Sequence, residues 1–514
     1  MAPAWLERLR QDPSCYPHPT GQITLIETHI SWVLLTGNWA YKIKKPVALD
    51  FLDFSTLSLR HRYCKEELRL NHRFAPELYE AVVPITSTEA GPRIGGAGPR
   101  LEYAVKMRQF DQSALLTRQL EAGTLSAADW FALGSELARV HQTLPAVLLG
   151  APLDAAWQPM ADNFAAIRER LAQATDLRAL ATLEHWSRAE LERLGPRLVE
   201  RNRSGWVREC HGDLHLENIA WIDGRFRPFD CIEFAPELRQ IDVQSELAFL
   251  TMDLEDHGDT TAGHRVANGY LEASGDYSGA ELRAFFSAYR ALVRSKVALM
   301  RAEQQPDEHA AATRARAVGY LHLARSYSER RTPWLAITHG FSGAGKSTFA
   351  LDLAAATGAV RIRSDVERKR LYKVAPDDHA ANPALYSAAA SDRTFARLED
   401  LAQQMLRAGL PVIVDATFLH RARRRQFIEL ATRERAPWRI LSLKAPADIL
   451  RKRVAHRLPD ASDANLKVLE QQFGHHDPLE ADEQAHAIEI DVSDGWDLAE
   501  IRARWPAAFA RSAG

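Results

Sequence analysis

The chain holds 514 residues, 46% of them hydrophobic and 26% charged, with a formal net charge of -2 at pH 7. Such a length predicts two or three domains, and the composition excludes a low-complexity chain or a strongly basic nucleic-acid binder. Four scattered cysteines without C-x-x-C spacing argue against a zinc site or disulfide framework, and no run of about 18 apolar residues occurs, so a cytoplasmic chain without membrane contact is expected.

In chain order, ITLIETHISWVLLTGNWAYKIKK reads as three strands, with Gly37-Asn38 turning the second into the third. Lys42 and Lys44 fall on one face of that third strand, two residues apart. One of them is expected to reach nucleotide phosphates, and Lys42 is favoured because it follows the apolar Ala40-Tyr41 pair. The next segment, LSLRHRYCKEELRLNHRFA, reads as a helix offering Glu66 or Glu67 as the ion-pair partner, with Glu67 favoured. EYAVKMRQF at 102–110 reads as a further strand, and GSELARVHQTL as a helix in which His141 is a hydrogen-bonded core residue.

The stretch HGDLHLENIAWIDGRFRPFD then concentrates chemistry. NIAWI and RFRPFD are strand-like, and Asp223-Gly224 between them is a strong hairpin signal, so Asn218 and Asp230 should come together. Asp213 precedes Asn218 by the D-x-x-x-x-N spacing of kinase catalytic loops. There an Asp accepts the proton of the attacking hydroxyl, while an Asn and a later Asp hold magnesium. HGDLHLEN followed by FD resembles the aminoglycoside phosphotransferase and choline kinase branch of the kinase-like fold. The resemblance implies an α+β kinase-like domain with Asp213 as catalytic base, Asn218 and Asp230 as metal ligands and His211 bracing the loop. THIS stands where a glycine-rich loop would lie in other kinases. Helical segments follow to about residue 328, and a seam near 328–333 divides the expected domains, 1–330 (small lobe about 1–108, helical lobe about 109–330) and 331–514.

After the seam, WLAIT, AVRIRSD, PVIVDAT, RILSLKA and HAIEID alternate with helical segments, the pattern of a doubly wound parallel sheet. Residues 331–514 carry 27 Lys and Arg against 24 Asp and Glu, whereas residues 1–330 carry 38 against 43. GFSGAGKS matches G-x-x-x-x-G-K-[ST] between a strand and a helix. Gly340, Ser342, Gly343, Ala344, Gly345, Lys346, Ser347 and Thr348 are therefore the expected nucleotide contacts. Backbone N–H groups of residues 342–346 would cradle phosphates, Lys346 would neutralise them, and Ser347 would bind magnesium. Asp365 and Asp415 lie at strand ends, where such sheets bind ligands. SDVERKRL resembles the S-D-x-x-R element of polynucleotide kinases, zeta-type toxins and chloramphenicol phosphotransferase, which implies Asp365 as base and Arg368 as substrate binder. Asp415 is assigned metal support or substrate binding. APADILRKRVAHRL reads as a lid helix with Arg453 and Arg457 on one face, within reach of the transferring phosphoryl.

Taken together, the halves resemble bacterial fusions of an aminoglycoside-phosphotransferase-like domain with an ATP-binding P-loop domain. That implies two sites using ATP and Mg2+, each phosphorylating a hydroxyl, with small molecules favoured over nucleic acid as acceptors. The alternatives are one catalytic domain beside a regulatory nucleotide-binding pseudokinase, or a kinase of nucleic-acid 5′-hydroxyl ends.

Overall fold

A computed structural model of the chain describes residues 3–49, 52–329, 332–375, 378, 383–456 and 465–505. They form two compact units, one of residues 1–126, 140–253 and 289–321, the other of 127–139, 254–288 and 322–514. The units are interleaved in sequence. The expected seam marks where the P-loop sheet begins, and the unit around that sheet also takes in two segments from before it.

The first unit combines an antiparallel sheet with helices. Its antiparallel sheet orders the strands Thr24–Glu27, Ser31–Leu35, Trp39–Lys44, Arg100–Arg108, Tyr79–Thr88 and Gly91–Ile94. Strand periodicity divides the third strand's side chains between two faces. Tyr41 and Ile43 join Leu6, Leu9, Trp32 and Leu34 in an apolar layer that includes the helix Ala4–Gln11. Lys42 and Lys44 take the opposite face, towards the helix Leu57–Asn71, whose Cys64 packs with Tyr79 and Val105. Thr56 caps that helix by accepting from Leu59 N at 3.2 Å. Further along, Ile219–Ile222 and Arg225–Pro228 form the expected hairpin, with Ile222 opposite Arg225. Its two turn residues, Asp223 and Gly224, both have positive φ, 51° and 71°, as the tight turn requires.

The second unit is built on a parallel sheet in the order Val360–Arg363, Val412–Asp415, Leu335–His339, Trp438–Lys444 and Ala487–Asp491. Both faces are covered, so apolar side chains outnumber polar ones in the strands, while Arg361 and Arg363 alternate with Val360 and Ile362 in the edge strand. Leu335, Ile337, Ile362 and Val414 pack on one side with the helices Ala388–Arg407 and Arg421–Arg433. Ala336, Ile413, Leu441 and Ile488 pack on the other with the helix Lys346–Thr357. The helix Thr260–Ser274 lies along that last helix, with Arg265 paired to Asp352 at 2.7 Å and His264 Nδ1 bonded to the Ala355 carbonyl at 2.8 Å. It also crosses residues 127–139 closely: a Cβ on Gly134 would stand 1.9 Å from Val266 O, and one on Gly269 2.1 Å from Phe131 O. Two glycines permit that approach.

Candidate active site

In the first unit, a line of buried charges joins the sheet, the helix Leu57–Asn71 and the segment after the hairpin. Lys42 Nζ lies 2.9 Å from Glu67 Oε1 and also contacts Asp230 Oδ1. Lys44 Nζ donates to Glu67 Oε2 at 2.7 Å and also contacts Glu233 Oε1. Both candidate lysines therefore meet Glu67, whereas Glu66 turns to Arg69 and Arg239. The lysines differ in access: the Lys42 side chain is 10% exposed beside a 43% exposed Asp230, and that of Lys44 is 1% exposed. Burial pulls the ammonium pKa values down, but Asp230 and Glu67 hold Lys42, and Glu233 and Glu67 hold Lys44, above the usual lysine value. Burial pushes Glu67 up, and the two lysines overcome it and hold the carboxylate low.

The catalytic-loop candidates sit on a second network. Asn218 Nδ2 donates to Asp213 Oδ2 and to the Asp213 carbonyl, each at 3.0 Å. His215 Nε2 lies 3.4 Å from the same Asp213 oxygen. Burial raises the Asp213 carboxyl and lowers the His215 imidazole, but their mutual attraction reverses both shifts. The hairpin ties this loop to the lysine network. Phe229 N donates to Asn218 O at 2.9 Å, and His211 Nε2 bonds the Phe229 carbonyl at 2.8 Å, one residue before Asp230. Asp230 itself holds a positive φ of 67°, and its N–H donates to Tyr79 Oη at 3.0 Å. His211 thus braces the loop, with Glu246 accepting from its backbone N–H at 2.8 Å. His141 is buried 3.9 Å from that Glu246 carboxylate. The donor set fits a hard divalent cation: Asp230 is a part-exposed carboxylate already facing a cation, and Asn218, its nitrogen engaged by Asp213, has an amide oxygen with no hydrogen bond among the described residues.

In the second unit, the P-loop runs from the strand Leu335–His339 into the helix Lys346–Thr357. Gly340, Gly343 and Gly345 have φ of 146°, 85° and 74°. A Cβ would meet Leu443 O at 2.6 Å on the first and Leu450 O at 2.9 Å on the second, so side chains are excluded from this turn. The loop fits phosphate in its backbone geometry. Lys346 Nζ donates to Phe341 O at 2.8 Å, inside the loop. Two of the N–H groups expected to cradle phosphates have protein acceptors: Ser342 donates to Gln472 Oε1 at 2.9 Å and Ala344 to Phe341 O at 3.2 Å.

The other candidates of this unit divide. Asp415 closes the strand Val412–Asp415 beside Arg363, and its buried Oδ2 lies 4.0 Å from Arg361. Asp365 stands in the first turn of the helix Ser364–Leu371, directly after the strand Val360–Arg363, and is half-buried. Arg368, one turn on, is buried, donates to Leu385 O at 2.8 Å and lies 5.1 Å from the Tyr386 ring centre. Arg453 donates to Val492 O at 2.6 Å and Ser493 O at 3.1 Å, holding the segment after the last strand. Arg457 lies outside the described residues.

Several residues at these sites carry no motif. Lys44 and Glu233 complete the first network; Gln472 reaches the P-loop from the helix Leu466–Gly474. Arg361 donates to Ser347 O at 2.7 Å and pairs with Glu272, while its backbone N–H donates to Asn268 Oδ1 at 2.8 Å. The alternation of Arg361 and Arg363 on a buried strand is the signal in sequence that charged partners must cover that face.

Residues 335–479 match the family model described as an AAA domain. The protein Rv2004c of Mycobacterium tuberculosis (strain H37Rv) is 30% identical over 466 residues, covering 89% of this chain and 91% of that protein. Among solved structures, a choline/ethanolamine kinase family protein from Mesorhizobium loti covers 63% of this chain and 99% of its own at 12% identity and a TM-score of 0.40. A gluconokinase from Sinorhizobium meliloti 1021 covers 36% of this chain and 95% of its own at 22% identity and a TM-score of 0.26.

Proposed function

We propose that this chain, which belongs to one family with the mycobacterial protein Rv2004c, is an ATP-dependent phosphotransferase with two separate sites, each acting on a hydroxyl of a small molecule. The observation that carries the reading is the joining of Lys42 to both Glu67 and Asp230, with the Asp213–Asn218 loop held beside them by the hairpin. A second, independent support is the P-loop, where Gly340 and Gly343 leave no room for a side chain.

In the first site, Lys42 would hold nucleotide phosphates and Asp230 with Asn218 would hold Mg2+. The metal, when bound, supplies charge that offsets the phosphate oxygens. Asp213 Oδ2 is engaged by Asn218 and faces His215, which leaves Oδ1 to orient the acceptor hydroxyl and receive its proton. A carboxylate held below its usual pKa is a weak base, so the proton arrives late, as the hydroxyl loses electron density to phosphorus. In the second site, the loop N–H groups and Lys346 would bind phosphates, Ser347 and Asp415 would support the metal, and Asp365 would take the acceptor proton.

The test is transfer of the ATP γ-phosphoryl by full-length protein to small alcohols, sugars, aminoglycosides and 5′-hydroxyl oligonucleotides. Asp213→Asn and Asp365→Asn are expected each to lower transfer to one acceptor class by orders of magnitude while leaving ATP binding near the parent value. Labelled oligonucleotides with steep salt dependence, about -0.7 in log–log slope per neutralised phosphate, would overturn the small-molecule assignment. Hydrolysis of ATP without any transfer, unchanged in both variants, would overturn the kinase reading itself.

A further inference from the structure

Lys44 has no task in the mechanism above, yet it is placed as carefully as Lys42. Its ammonium is buried between Glu67 and Glu233 and sits 4.9 Å from the centre of the Phe54 ring. The whole line runs Asp230, Lys42, Glu67, Lys44, Glu233: three carboxylates alternating with two ammonium groups. Lys42 and Asp230 occupy the accessible end. Lys44 and Glu233 occupy the closed end, with side chains 1% and 4% exposed.

Nucleotide binding sets a problem for such a line. On the reading proposed above, Lys42 must turn to phosphate and Asp230 to a metal ion, so the contact between them is given up. Glu67 is fully buried and, once Lys42 is shared with phosphate, would be left short of positive charge if it had no other cation. Leaving a buried carboxylate without a partner is strongly unfavourable. Glu67 does have another, because its second oxygen accepts from Lys44 at 2.7 Å. Lys44 also grips Glu233, three residues after Asp230, and so fixes the segment that carries the metal ligand.

We infer that Lys44 is the positioning residue of the first site: it keeps Glu67 ionised and in place, and the Asp230 segment in register, while Lys42 serves the nucleotide. Without Lys44, three carboxylates would compete for Lys42 and hold it back from phosphate. The inference rests on the nucleotide reading of this site.

The experiment measures equilibrium binding of Mg-ATP to full-length protein carrying Lys346→Ala, so that the first site is read alone. In that background Lys44→Met is expected to weaken binding by about tenfold or more. Adding Glu233→Gln removes the surplus carboxylate, and the double variant is expected to recover most of the loss. A packing role predicts the reverse, since two substitutions in one buried cluster then cost more than one. Lys44→Gln, which keeps a polar donor without the charge, carries the same expectations if Lys44→Met does not fold. Unchanged binding in the Lys44 variants, or a double variant weaker than the single, overturns the inference. Asp230→Ala separates the two levels: if it binds Mg-ATP as the parent does, the nucleotide reading of the site falls and the role of Lys44 with it. If Asp230→Ala loses binding while Lys44→Met keeps it, the role of Lys44 alone is overturned.

Discussion

On the function proposed above, the two candidate sites would hold a polyphosphate with opposite materials. The P-loop uses consecutive backbone, and its specification is local: glycines at 340, 343 and 345 hold positive φ, and helix Lys346–Thr357 starts at once. The candidate site of the first unit uses side chains brought together from distant parts of the chain, with Lys42 meeting Asp230 across 188 positions and Lys44 meeting Glu233 across 189. A backbone site fails when a glycine gains a side chain. A side-chain site fails when one charge is removed, because every buried ion in the line is held by its neighbours.

The comparison is broken most directly at Asp213. Asp213→Asn keeps the shape and the bond with Asn218 but removes the proton acceptor, so transfer at the first site should fall by roughly 10²–10⁴. Steady-state rates with the first site's acceptor measure this, and ATP binding should stay close to the parent. A fall of only a few-fold would mean that alignment, not proton acceptance, is what Asp213 contributes.

The second expected effect tests whether the P-loop site is as local as its motif. A fragment beginning at residue 331 keeps every loop residue but loses the helix Thr260–Ser274, and with it Glu272 and Asn268, the partners of Arg361. Stranding a buried guanidinium of this kind costs about 3–5 kcal/mol. The fragment should therefore unfold at lower denaturant than one that retains residues 254–288, and Mg-ATP should bind it more weakly through Ser347, whose carbonyl Arg361 holds. Equal midpoints would restore a self-sufficient P-loop half.

What could be read from the sequence follows the same division. GFSGAGKS, the five parallel strands and the hairpin at Asp223-Gly224 are contiguous patterns, and each stands where expected. Glu67 and Lys42 meet, but the sequence could not choose between neighbouring lysines on one strand face, nor foresee that both would share one carboxylate. Arg368 and Arg453 illustrate the converse. Resemblance to the S-D-x-x-R element placed the first near a site and helical spacing the second, yet their guanidinium groups donate to Leu385, Val492 and Ser493 carbonyls, because buried backbone acceptors need donors as much as phosphates do. Gln472 and Glu272 lie 130 and 89 positions from their partners Ser342 and Arg361, a separation no local pattern spans.

Gln472 sharpens the contrast at smaller scale. Its Oε1 accepts the Ser342 N–H, a donor that the loop would otherwise direct to phosphate. Gln472→Ala should free that donor and tighten Mg-ATP at the P-loop by about two- to fivefold, the size of one hydrogen bond. Weaker binding would mean that Gln472 shapes the loop instead of competing for it.

The smallest effect concerns pH. His339 ends the first strand of the parallel sheet, immediately before Gly340, with Nδ1 bonded to Ser442 Oγ at 3.0 Å and a buried Nε2 lacking an acceptor among the described residues. Burial first, and then the positive charges of Arg424 and Lys346, bring its pKa down to about 4 from the usual 6.5. A histidine depressed in the folded state takes its proton more readily when unfolded. Its stabilising contribution is therefore complete above pH about 6.5 and is lost progressively as pH falls towards about 4. By pH about 5.5 the loss amounts to about 1 kcal/mol. His339→Gln keeps a partner for Ser442 and removes the titration, so its thermal midpoint should fall less than that of the parent between pH 7 and pH about 5.5. Lys346→Ala should act in the same direction, because removing the nearby ammonium lets the His339 pKa rise. The coupling would then tie a side-chain charge to the loop that otherwise works through its backbone. Identical acid sensitivity in parent and His339→Gln would place the pH dependence elsewhere and leave the P-loop electrostatically independent of the strand that feeds it.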